Sequence, residues 1–135
     1  MKNRIFGLLC FALVFTACSS AWSQQAPEQP APANVTGKWI LYCNDPNGAT
    51  SAKYLDLKQN GNIIKGHFKG TYQSGSVTGT INMRHLVVRT NTRHPLVFRG
   101  RIDGPVVDGV VQGATFTGTF HTRAGRGTFQ GTHTQ

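Results

Sequence analysis

Phe98-Arg99-Gly100-Arg101-Ile102 and Phe116-Thr117-Gly118-Thr119-Phe120 share one pattern: apolar, polar, glycine, polar, apolar. Alternation of apolar and polar residues has a period of two, which gives a strand one face for a core and one for water. The central glycine recurs at a fixed interval. Gly61, Gly70 and Gly79 are nine apart, and so are Gly100, Gly109, Gly118 and Gly127. Nine residues fit one short strand and one tight turn, the unit of an antiparallel meander. Glycine weakens a strand interior, so its repetition there points to a sheet that bends sharply.

Working outward, the same chemistry fills the chain from Thr36 to its end. Strands are predicted over 36–43, 52–59, 62–72, 76–83, 85–92, 96–103, 106–112, 115–122 and 127–133. Each is rich in Val, Ile, Phe, Tyr and Thr and bounded by Gly, Asn, Asp or Pro. Asn60-Gly61 reads as a type I′ hairpin turn, and Asn47-Gly48, Asp103-Gly104 and Asp108-Gly109 repeat its chemistry. No stretch carries the i, i+3, i+4, i+7 apolar spacing of a helix. The predicted fold is all-β: a single antiparallel meander closing into a small up-and-down barrel of about 8 strands, since closure needs bending and removes exposed edges. A calcium-binding β-roll is excluded, because its nonapeptide needs Gly-Gly and the chain has none.

Thr36-Gly37-Lys38-Trp39 resembles the G-x-W opening of lipocalin- and avidin-like (calycin-type) barrels. The resemblance implies that Trp39 plugs one end of the barrel beneath a ligand cavity. It also implies a basic residue of the last strand lying over that ring, for which Arg126 in Gly125-Arg126-Gly127 is the match. The predicted body, 36–135, is shorter than a lipocalin, and Trp39 is its only tryptophan. The indole-lined biotin site of avidins is therefore not implied, and fold alone names no ligand.

Before the body stand two other segments. Lys2 and Arg4 precede an apolar run over 5–17, too short to span a bilayer and typical of a secretory signal. Phe15-Thr16-Ala17-Cys18 resembles a bacterial lipobox, in which the cysteine is acylated and becomes the mature N-terminus; Phe15 stands where that pattern has Leu. Cleavage after Ser23, behind Ala21-Trp22-Ser23, is the alternative. The expected domains are thus a signal peptide over 1–17, a Pro/Gln/Ala-rich tether over 18–35 and a barrel over 36–135. The expected location is the periplasm or the outer membrane, through a lipid anchor on Cys18. Cys43 would then be the mature chain's lone thiol, with no internal disulfide. Its strand position makes it a small buried hydrophobe or, on the sharper reading, a reactive thiol.

Charge gives the one functional signal. The chain has 135 residues, 14 Lys+Arg against 5 Asp+Glu, and a formal charge of +9. Arg84, Arg89, Arg93, Arg99 and Arg101 fall within one stretch with His85 and His94, and no acid interrupts it before Asp103. Two strands joined near His94-Pro95 would gather these arginines, and Arg99 and Arg101 share the face opposite Phe98 and Ile102. Parity leaves Arg89 open, inward if Val87 is the buried residue, outward if Leu86 and Val88 are buried. The five arginines are the candidate ligand-binding residues. The partners they suit are an anionic small molecule, a lipid head group, an acidic glycan or an acidic protein. Nucleic acid is disfavoured by the export signal.

Catalytic patterns are missing: no H-E-x-x-H, C-x-x-C, G-x-S-x-G or P-loop occurs. Asp103 and Asp108 both precede glycine, where aspartate serves turns. Histidines 67, 85, 94, 121 and 133 form no H-x-H pair, although His67 and His121 could meet from separate strands. No catalytic residue, metal or cofactor is expected. The leading expectation is a non-catalytic binding module of the cell envelope that recognises an anionic ligand or acidic surface. The alternatives are an accessory subunit docking on a larger envelope complex and a His/Asp-dependent hydrolase.

Overall fold

A computed structural model describes residues 31–134, so the signal segment, Cys18 and most of the tether lie outside the described residues. The elements are β1 (Gly37–Asn44), β2 (Thr50–Asn60), β3 (Ile63–Lys69), β4 (Ser74–Asn82), β5 (His85–Asn91), β6 (Val97–Asp103), β7 (Val106–Val107), β8 (Val110–Val111), β9 (Thr115–Thr122) and β10 (Gly125–Thr134). Eight of them form a closed barrel in the order β1-β10-β9-β6-β5-β4-β3-β2. Every pairing in it is antiparallel, and β10 returns to β1 from Lys38↔Thr134 to Asn44↔Thr128. The described residues are all-β, as the alternation requires. One predicted strand is corrected: 106–112 stays out of the barrel and folds into the β7–β8 hairpin between β6 and β9. Its turn keeps the expected chemistry, with Asp108 at φ 53° and Gly109 at φ 80°, the signs a type I′ turn needs.

The β2–β3 hairpin differs from its prediction by one residue. Asn60 pairs with Ile63, so Gly61 and Asn62 form the turn, and only Gly61 has positive φ (63°). Glycine at the first central position makes this type II′ rather than I′.

Inward positions alternate through every long strand. Trp39, Leu41 and Cys43 of β1, Phe98 and Ile102 of β6, Phe116 and Phe120 of β9, and Phe129 of β10 are all buried. Between these large side chains the inward face carries glycines. Gly100 of β6 sits opposite Gly118 of β9. A Cβ on Gly118 would fall 2.0 Å from the Arg99 carbonyl oxygen and 2.6 Å from the Gly100 Cα. The strands come this close because both positions lack a side chain, and the tight coiling that follows brings four phenylalanines into one cluster. Phe98 meets Phe120 at 5.5 Å and Phe129 at 5.4 Å, and Phe116 meets Phe129 at 4.6 Å.

One end of the barrel is closed by the chain's own N-terminal side. Ala33 and Val35 are buried, so the folded body begins a few residues before the expected boundary at Thr36. Backbone bonds fix this strap: Ala33 N–H donates to Met83 O (2.8 Å) and Asn34 N–H to Val111 O (2.8 Å). The Trp39 indole N–H donates to Val35 O at 2.9 Å. Trp39 thus occupies the plug position that the G-x-W resemblance implies. The expected partner of its ring is corrected. His133, directly opposite on β10, lies edge-on at 5.1 Å, while Arg126 is exposed on the outer wall beside His121. Seven residues of extended strand separate those two, roughly 23 Å at about 3.3 Å per residue.

Candidate site at the open mouth of the barrel

At the other end, four connections form a rim: residues 45–49 (β1–β2), 70–73 (β3–β4), 92–96 (β5–β6) and 123–124 (β9–β10). The first is a compact turn in which Gly48, at φ 89°, donates to Asp45 O and Asp45 N–H donates to Ala49 O. The second and third are clasped together, because the Gln73 amide donates to His94 O (2.8 Å) and accepts from His94 N–H (3.0 Å). Between the rim loops opens a hollow of about 510 Å³. Phe68, Leu96 and Phe120 line it together with Asp45, Ser51 and Lys53.

Lys53 is the unusual residue. Its backbone pairs with Leu41, and its side chain takes the same inward face as Leu55 and Leu57, leaving the residue 8% exposed. It is one of two buried polar residues among the described residues; the other is Thr90. The ammonium lies 3.4 Å from Asp45 Oδ1, donates to Ser51 Oγ at 2.5 Å, and stands 5.4 Å from the centre of the Phe120 ring. Removing an ammonium from water costs several kcal/mol. A carboxylate, a hydroxyl and an aromatic face offset part of that cost here. An ammonium has three protons, and Asp45 and Ser51 engage two of them.

Cys43 lies on the same inward face, at the strand pair Cys43↔Ser51. Burial pushes its thiol up to about 11, and the nearby Lys53 ammonium only partly opposes the rise. A buried thiol with a raised pKa holds its proton and is a poor nucleophile. Of the two readings of Cys43, the inert one fits this geometry.

The sequence-derived arginines are all outside the barrel. Leu86, Val88 and Thr90 are buried, which turns Arg89 outward. Parity was ambiguous because Thr90 is polar yet inward; its hydroxyl accepts the Leu96 N–H at 2.9 Å. Arg93 is exposed on the rim, and Arg99 and Arg101 are exposed on β6. Arg84 and Arg101 both reach Asp103 Oδ1 at 3.2 Å, at the end of β6 away from the mouth. That leaves Arg89, Arg93 and Arg99 as the part of the patch without an acid. His67 and His121 do not meet, since β3 and β9 face each other across the barrel and both side chains point out. Among the described residues no three His, Cys, Asp or Glu side chains converge on a common point.

Lys53, which lies outside the arginine pattern, carries a readable signal. In Lys53-Tyr54-Leu55-Asp56-Leu57 the lysine falls on the leucine face of the strand. No protein-family model matches the chain, and no curated protein is similar to it in sequence.

Proposed function

We propose that the protein is a non-catalytic binding module that takes a small molecule through its open mouth. The guest has an apolar body and an anionic head. The observation that carries this reading is the buried Lys53 at the base of the hollow. An apolar side chain would fill the same space without the desolvation cost, so a lysine there has a use for its charge. Its third proton serves an acceptor on the guest, while Phe68, Leu96 and Phe120 take the apolar body. The hollow lies within the size range of ordinary small-ligand sites. The outward arginines near the rim raise the local concentration of anions and steer them toward the opening.

The location proposed with this function is the cell envelope, through export and acylation of Cys18.

The test uses two related dyes, anionic 1-anilinonaphthalene-8-sulfonate and its uncharged analogue N-phenyl-1-naphthylamine, in fluorescence titrations. Wild type should bind the anionic dye more tightly. Lys53→Met should weaken that dye by roughly tenfold, about 1.4 kcal/mol, and leave the neutral one little changed. Equal loss of both dyes, or no loss of either, would sink the assignment of the anionic head to Lys53.

A further inference from the structure

The outer wall carries a feature independent of the mouth. Arg99 on β6, Thr119 and His121 on β9, and Arg126 on β10 line a hollow of about 460 Å³ with Val97. Register explains their meeting. Arg99 pairs with Thr119, Val97 with His121, and His121 with Arg126, and all five positions lie on the outward face. The two arginines therefore flank β9 from either side, on strands separated by about two interstrand spacings, or roughly 10 Å. Guanidinium groups on long side chains can close on a group seated between them.

We propose that this hollow is an anion site for a phosphoryl or sulfuryl group. Neither Arg99 nor Arg126 makes an ion pair among the described residues, and no acid lines the hollow. Asp103 is occupied at the far end of β6 by Arg84 and Arg101. Two planar forks, a hydroxyl and an imidazole present four donor groups around one concavity. A tetrahedral oxyanion turns its free oxygens in several directions and can meet donors from three strands, whereas the acceptor sites of a carboxylate lie in one plane. Arginine suits this role because its fork donates in pairs and its charge is permanent. The site does not depend on Lys53, and it gives Arg126 a place that the G-x-W resemblance did not.

The test follows the imidazole signals of the full chain by NMR during titration with sodium phosphate, with sodium chloride at matched ionic strength as reference. His121 should shift saturably with phosphate and not with chloride. Arg99→Gln and Arg126→Gln should each weaken phosphate binding by about tenfold, while Arg84→Gln should leave it unchanged. Flotation of the unacylated Cys18→Ser protein with phosphatidylglycerol vesicles distinguishes the source of the group. Retention that Arg99→Gln abolishes assigns it to a lipid, and phosphate binding without retention assigns it to a soluble ester. A linear response equal to that of chloride, or undiminished binding by the Arg99→Gln/Arg126→Gln protein, overturns the site.

Discussion

Lys53 and Cys43 are inward residues of one neighbourhood, joined by the register of β1 and β2. Burial holds the Cys43 thiol protonated, raising its pKa from the ordinary 9.0 to about 11. The unfolded chain loses this proton near pH 9 and the folded one near 11, so the folded state binds more protons between those values. The contribution is complete below pH 9 and is lost as pH rises toward 11, by about 2–3 kcal/mol. Urea unfolding of wild type and Cys43→Ala at pH 8 and pH 11 checks this. Wild type should lose about that much relative to the variant, and a constant difference between them would refute a buried, raised thiol. The position of Cys43 was readable from its strand, two residues from Leu41 and four from Trp39. Its coupling to Lys53 was not, because that arises from the cross-strand register Leu41↔Lys53 and Cys43↔Ser51, which a single strand does not display.

Among the elements, the glycine rhythm has two meanings that the sequence presents as one. Gly61 and Gly109 sit in turns at positive φ. Gly79, Gly100, Gly118 and Gly127 are strand residues on the inward face, where backbone oxygens of neighbouring strands approach within van der Waals distance of any added Cβ. Only pairing geometry separates these roles. Gly118→Ala would place its Cβ against the backbone of β6. It should cost roughly 3 kcal/mol or more, or prevent folding. Gly48→Ala, with nothing within 4 Å and φ 89°, has only conformational strain to bear, about 1–2 kcal/mol. Thermal melts of the two variants should rank in that order, and a mild Gly118→Ala would show that the barrel is wider at that layer. Alternation identified the eight barrel strands because each has a wet face and a dry one. It failed at 106–112, where Val106 and Val107 are both exposed and the short hairpin follows turn chemistry instead.

At the scale of the molecule, the barrel has a sealed end and an open one. Trp39, Val35 and Ala33 seal the first, and buried aromatic rings fill the middle. The second holds the hollow with Lys53. Arg93, Arg99, Arg123 and Arg126 stand on the rim or on the wall beneath it, and the acid that neutralises Arg84 and Arg101 is at the sealed end. Among the described residues every lysine and arginine except Lys53 therefore stands outside the barrel, and Arg93, Arg99, Arg123 and Arg126 gather toward the mouth. Mass spectrometry of the mature chain should find an acylated N-terminus at Cys18, lost in Cys18→Ser; a free N-terminus at Gln24 would replace the anchor with a soluble form. The central claim is where a guest sits. Amide chemical shifts of the isotope-labelled chain, followed during titration with 1-anilinonaphthalene-8-sulfonate, test it most directly. The account predicts saturable changes concentrated in residues 45–53, 68–73, 92–96 and 120–124. Changes centred on the sealed end or on the outer wall, with the mouth unaffected, would contradict it.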